Sequence, residues 1–230
     1  MSLIPDKPPF KLLDILYKKE FVLFVVLVSI LIINSNISPY FLDLYNLIDS
    51  TFLFSEKAII ALTMTFVIIA RQIDLSVASI IAVSSVVLGY TTSLGYDTWL
   101  VLLLTLLSGA LCGAFNGAII TKFAIPSIIV TIGTMSLFRG LAYSFLEDSY
   151  YNKFPKLVGK LGGGYLYGYI PYAFLTFILL AFVFAFILHK TSVGKKIYSI
   201  GNNPDAAQYT GIAVDKYTFV LFTLNGLFSA

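Results

Sequence analysis

Charge is what this sequence has least of. Of its 230 residues only 12% are charged against 58% hydrophobic, and the mean hydropathy is +0.90. A soluble domain carries about 25% charged residues, so this chain cannot cover a water-facing surface with polar groups. The same composition excludes intrinsic disorder. One cysteine, Cys112, excludes a disulfide framework, and with a single histidine, His189, it excludes a His/Cys metal cluster. A GxxxxGK[ST] phosphate loop is missing, because Gly194-Lys195-Lys196 lacks the earlier glycine and the following hydroxyl residue. No Ser-His-Asp or Cys-His set can be assembled around His189. The expectation is a chain that is not an enzyme and binds no metal or cofactor of its own. A net charge of +3 is too small to point to nucleic acid.

What the chain has instead is long apolar runs. A bilayer-crossing helix needs about 20 mostly apolar residues. Trp99 to Ile120 and Pro171 to Leu188 contain no charge, and Ser127 to Phe145 is interrupted only by Arg139. Phe21 to Ile33 is shorter. Ala58 to Ala70 and Leu75 to Tyr90 are parted by Arg71, Gln72, Ile73 and Asp74, and a last run begins at Tyr217 and is still apolar at Ala230. Transmembrane strands are about 10 residues long and alternate in polarity; these runs do neither. The expected fold is therefore all-α, a polytopic helical membrane protein with six transmembrane helices plus the start of a seventh. Asn34-Ser35-Asn36-Ile37 is no small-x-small cleavage site, so the first run reads as an uncleaved anchor.

Lysine and arginine concentrate on the cytoplasmic side of membrane proteins. With alternating spans and a cytoplasmic N-terminus, the inside holds ten: Lys7, Lys11, Lys18, Lys19, Arg71, Lys122, Lys190, Lys195, Lys196 and Lys216. The outside holds Lys57, Lys153, Lys156 and Lys160, and Arg139 falls within a span. The N-terminus is expected inside. Residues 1–20 then form a cytoplasmic segment, 21–230 the membrane domain, 34–57 and 147–169 outer loops, and 189–216 the largest cytoplasmic loop. Within that loop Asn203-Pro204 starts a short helix, with proline tolerated at the first helical position and Asp205 favoured near the N-terminus. The helix is expected from about Pro204 to Tyr209, stopped by Gly211.

Several polar or glycine positions carry two readings each. Gly109, Gly113 and Gly117 share one helix face and let a second backbone approach closely, either within the subunit or between subunits. Asn116 in the same run should face the protein interior. Asp74 or Ser76 could cap the following helix, or the polar break could line a pathway or transmit movement. Arg139 could snorkel to the outer interface or point into a solvated cavity, where its fork of donors suits hydroxylated or anionic solutes. Thr131, Thr134 and Ser136 could bond the backbone or a solute, the backbone being the commoner partner.

Taken together, several stretches resemble one family. Ile73-Asp74-Leu75-Ser76-Val77-Ala78-Ser79 is similar to the "GGIDLSVGS" signature of ribose-type sugar ABC transporter permeases. Asn116-Gly117, Ile125-Pro126, Ile129 to Met135 and Arg139-Gly140 resemble the family's next block, in order. Gly201-Asn202-Asn203, Asp205-Ala206-Ala207 and Gly211-Ile212 resemble its cytoplasmic "EAA…G" loop. Arg71-Gln72 replaces Gly-Gly, Ala78 replaces a glycine and Asp205 replaces Glu; bulky residues before Ile73-Asp74 are similar to the rhamnose and autoinducer-2 branches. The resemblance implies the membrane-spanning permease subunit of a bacterial ABC importer for a monosaccharide or polyol-like solute, in the cytoplasmic (inner) membrane. It implies a separate ATPase subunit that uses the ATP, a periplasmic sugar-binding protein and a second permease subunit, identical or not. It implies a solute path near Asp74, Ser76, Asn116, Thr131, Thr134 and Arg139, and ATPase coupling through Gly201, Asn202, Asp205, Ala206, Ala207, Gly211 and Ile212. Related permeases carry branched-chain amino acids or nucleosides; an ion-coupled secondary transporter is the reading in another class. Members usually continue through about three further spans, so the end inside an apolar run at Ala230 reads as an incomplete permease.

Overall fold

The computed structural model describes residues 19–146 and 150–230. The charges at Asp6, Lys7, Lys11, Asp14 and Lys18, and at Glu147 and Asp148, lie outside the described residues. The chain divides into two units, Met1–Ser50 and Thr51–Ala230. In the first, helix α1 (Lys19–Ile37) is apolar nearly all round, with Leu23 68% exposed. It runs through Asn34, Ser35 and Asn36, whose side chains donate back to the carbonyls of Ile30 and Ile32 at 2.7–2.9 Å. Polar groups in a lipid-facing helix can be satisfied in this way without water. A short turn over residues 38–43 leads into α2 (Leu44–Ile69).

The second unit continues with α3 (Val77–Ser93), α4 (Thr98–Phe123), α5 (Ser127–Leu146), α6 (Lys156–Gly163), α7 (Tyr172–Lys190), α8 (Ser192–Asn202), α9 (Pro204–Tyr209) and α10 (Val214–Ser229). Among the described residues, four helices are long and apolar enough to cross a membrane: α2, α4, α5 and α7. Two shorter apolar stretches, Phe21–Ile37 and Val77–Ser93, accompany them. Large side chains such as Trp99 and Phe182 are more than 70% exposed, the pattern of helices whose outer surface meets hydrocarbon. Three boundaries differ from the sequence reading. Leu44 to Lys57 is the first half of α2 and not outer loop, because Leu47, Leu53 and Phe54 sustain the apolar pattern across isolated charges. The expected outer loop 147–169 carries α6 and β1 (Tyr165–Leu166), which pairs with β2 (Ile170–Pro171) just beyond it. Tyr167 and Gly168, both left-handed at φ 52° and 78°, make the turn, closed by Tyr169 N–H donating to the Leu166 carbonyl at 3.2 Å. Residues 189–216, expected as a loop with one short helix, hold a further helix, α8, ahead of the expected one.

Two contacts organise this unit. In the first, α4 and α10 lie backbone to backbone. A Cβ built on Gly109 would stand 2.5 Å from the Gly226 carbonyl oxygen, and one on Gly117 3.0 Å from the Phe219 Cα. Gly113 lies against the Phe222 carbonyl in the same seam, so the glycine repeat packs within the subunit. In the second, α8 and α9 bury Ile197, Ile200 and Ala207 against Phe66, Val67 and Ala70 at the end of α2 and against Leu221 and Phe222 of α10. Gly201 sits on the Ile69 carbonyl, where any side chain would collide.

Candidate functional site

The polar break between α2 and α3 is a buried hydrogen-bond network. α2 ends in a Schellman motif: Arg71 N–H donates to the Ile68 carbonyl at 2.9 Å and Gln72 N–H to the Val67 carbonyl at 3.0 Å. The motif needs a left-handed residue, and Arg71 fills that position at φ 59°, where glycine is preferred. The reversal delivers Asp74 into the interior, 3% exposed. Its Oδ1 accepts the Ser76 N–H at 2.9 Å and the Ser76 hydroxyl at 2.6 Å. Its Oδ2 accepts the Asn225 amide of α10 at 2.8 Å. Thr63 of α2 donates to Asn225 Oδ1 at 2.8 Å, and Asn116 of α4 donates to Ser76 Oγ at 2.8 Å. One chain of bonds, Thr63–Asn225–Asp74–Ser76–Asn116, therefore joins α2, the break, α4 and α10. Asn116 Oδ1 and Ser79 Oγ are buried atoms with no hydrogen-bond partner among the described residues.

A second tie holds the break to α5. Ile73 N–H donates to Ser127 Oγ at 3.0 Å, and Thr131 Oγ1 donates to the Ile73 carbonyl at 3.3 Å. Ser76 is the N-cap residue of α3, but its hydroxyl does not cap; it turns to Asp74, while its carbonyl accepts the Ser79 and Ile80 amides. Asp74 secures the N-cap residue's own amide. The break is thus a cross-brace rather than a simple helix start.

A model of the family described as the branched-chain amino acid transport system / permease component matches residues 46–230. The chain belongs to this permease family. Among curated relatives, it is similar to the autoinducer 2 import system permease protein LsrC of Shigella flexneri, 35% identical over 172 residues, covering 75% of this chain and 50% of that protein. The autoinducer 2 import system permease protein LsrD of Klebsiella pneumoniae is 32% identical over 221 residues, 92% of this chain and 65% of that protein. The ribose import permease protein RbsC of Haemophilus influenzae is 33% identical over 211 residues, 90% and 65%. This permease thus spans half to two thirds of the length of these relatives. It is a multi-pass membrane protein. No solved structure matches it.

The candidate path residues separate into two groups. Asp74, Ser76, Asn116, Thr131 and Thr134 are buried, and each bonds to protein; Thr134 donates to the Thr131 carbonyl at 3.4 Å. Arg139 stands apart, exposed, and lines a cavity of about 610 Å³ with Ser85, Tyr143, Tyr150, Tyr151 and Phe154. Tyr151 lies on Gly89, which has no side chain to push it away. Of the coupling candidates, Gly201 seats on α2, Ala207 is buried, and Asn202, Asp205, Ala206 and Gly211 are exposed. Asn203 Oδ1 accepts the Ala206 N–H at 3.0 Å and caps α9, and Gly211, at φ 85°, closes its end. Ile212 is half-buried. Asn225, Thr63 and the tyrosines escaped the sequence reading. An amide inside the apolar run from Tyr217 was the available signal for Asn225, the same signal that singled out Asn116.

Proposed function

We propose that this chain is the membrane-spanning permease subunit of a bacterial ABC importer that passes a monosaccharide or similar polyol-like solute. In this reading α1 and α3 join α2, α4, α5 and α7 as six spans, α10 begins a seventh, and the N-terminus and residues 189–216 face the cytoplasm of an inner-membrane protein. The subunit performs no chemistry and binds no cofactor. A separate ATPase uses the ATP, a periplasmic binding protein delivers the solute, and a second permease subunit completes the path.

One observation carries the mechanism: Gly201 of α8 rests on the Ile69 carbonyl, two residues before the left-handed Arg71 and five before Asp74. A partner ATPase that displaces the exposed face of α9 moves α8 with it, because both are packed into the same apolar cluster. The end of α2 and the break must follow or the contact opens. The Asp74 network then holds or releases α10 and α4, which supplies the two discrete arrangements that switching requires. On the outer side, the Arg139 fork and the tyrosine rings suit a hydroxylated solute, the guanidinium for oxygens and the rings for its apolar faces.

Uptake of labelled ribose and of autoinducer 2 into proteoliposomes, with the cognate ATPase and binding protein, tests the reading. Gly201→Ala should abolish ATP-driven uptake while the protein still inserts and binds its partners; undiminished uptake would remove the coupling role. The family's description favours a second reading, a branched-chain amino acid cargo, so leucine belongs in the same assay as a competitor, beside a nucleoside as the other alternative. Uptake that needs an ion gradient and no ATP would instead revive a secondary transporter with Asp74 as its intramembrane carboxylate.

A further inference from the structure

A second cavity, of about 490 Å³, lies in the unit Thr51–Ala230; it touches the Asp74 network only through Thr63 and does not include Arg139. That volume falls within the roughly 300–1,000 Å³ of small-molecule sites. Its walls are apolar, with Phe66 of α2, Phe184 of α7, and Val220 and Leu224 of α10. Its charged lining residues are both cationic: Lys196 on α8 and Lys216 in the first turn of α10. Asp215 is next to Lys216 in sequence but does not line the cavity. The Lys196 ammonium is held over the Tyr217 ring, 5.6 Å from its centroid. Both lysines sit where α7 has ended and α10 begins, at the boundary of the apolar belt. Helix α8 turns Gly194, Ile197 and Ile200 to the protein core and leaves Lys195, Lys196 and Ser199 exposed, so its lysines stay on the open side of the cleft.

We infer that this cleft binds an anionic phospholipid, its acyl chain against Phe66, Phe184 and Leu224 and its phosphate on Lys196 and Lys216. The occupant follows from charge complementarity: an apolar slot with cations only at its interfacial mouth matches a molecule with a tail and an anionic head. The inference rests on the chain being a membrane protein and not on what it transports. Each lysine near an anionic headgroup strengthens binding by roughly fivefold, so the pair should prefer such lipids by about twenty-fivefold.

The test is native mass spectrometry of the full chain in detergent, supplied with phosphatidylglycerol or phosphatidylcholine of the same acyl chains. Phosphatidylglycerol should be retained over phosphatidylcholine, and Lys196→Gln with Lys216→Gln should erase the preference. Lys156→Gln with Lys160→Gln, on α6, should leave it intact, and circular dichroism checks that both variants keep their helices. No preference in the native chain, or a preference the first pair does not change, overturns the proposal. So does competition by soluble glycerol phosphate at equal concentration, which would mark a free-anion site. A lipid-free dimer cross-linked through Leu224→Cys would assign the cleft to a second copy instead and also overturn it.

Discussion

Asn225 is the keystone of the buried network, and Asn225→Leu measures what the network is worth. The substitution roughly conserves volume and removes two bonds to oxygen at once, along with a weaker one to Met64 Sδ at 3.4 Å. Asp74 Oδ2 loses its 2.8 Å donor, and Thr63 loses its acceptor at 2.8 Å while keeping the Ile60 carbonyl at 3.0 Å. A hydrogen bond to a charged group contributes about 1.5–3 kcal/mol, and an uncharged interhelical bond in a membrane bundle averages about 0.6 kcal/mol. The expected loss is about 3 kcal/mol, or about 6–12 °C in Tm for a chain of this size, read by thermal unfolding in detergent micelles. Asp74→Asn is the control. Its remaining oxygen still accepts the two Ser76 donors at 2.9 and 2.6 Å. Its new amide can donate to Asn225 once that side chain turns over and the Thr63 hydroxyl accepts in return. The control should cost about 1 kcal/mol or less, the weight of one ordinary bond. The double variant has no charge to strand, so it should recover about 2 kcal/mol of the sum of the singles. An Asn225→Leu loss under about 0.5 kcal/mol, or singles that simply add, would refute the idea that a buried carboxylate depends on this amide.

Three further outcomes are expected. Arg71→Gly should raise stability by about 0.5–1 kcal/mol in the same unfolding measurement, because the Schellman position at φ 59° strains a residue with a Cβ. Gly113→Ala should cost about 1–3 kcal/mol by overpacking the α4–α10 seam, whereas Gly133→Ala, with open space around it, should be neutral or slightly stabilising. A cysteine at Asn203, which is exposed, should react with an impermeant maleimide in inside-out vesicles and not in intact cells; labelling in intact cells would invert the topology proposed above.

The sequence was most informative where one residue type has one physical use. A long apolar run with at most one charge fits only a membrane-length helix, so α4, α5 and α7 match the sequence reading within a few residues of their ends. Pro204 after Asn203 and Gly211 after a six-residue run bounded α9 because N-cap, first-turn and left-handed positions each favour particular residues. It was least informative where partners come from distant segments. Asp74 and Ser76 stood out as a polar pair in an apolar region, but Asn225 is 151 residues away, and no local pattern says that the two amides of α4 and α10 meet one carboxylate and its neighbouring hydroxyl. The same holds for Gly201: the sequence singles it out only within the loop motif, and only the tertiary fold places it on α8 against Ile69. α8 itself was hidden because charges at Lys195 and Lys196 made an amphipathic helix read as loop.

The glycine seam has a mechanical meaning. Helices joined through side chains can repack by changing rotamers, but Gly109, Gly113 and Gly226 offer none to change. Sliding or tilting α10 on α4 would require backbone to ride over backbone, so the two helices should travel as one rigid strut. Whatever hinge the protein uses must then lie on the opposite side of the network, at Arg71 to Ser76, where the chain leaves helical geometry and side-chain hydrogen bonds, rather than interlocked backbones, set the angle.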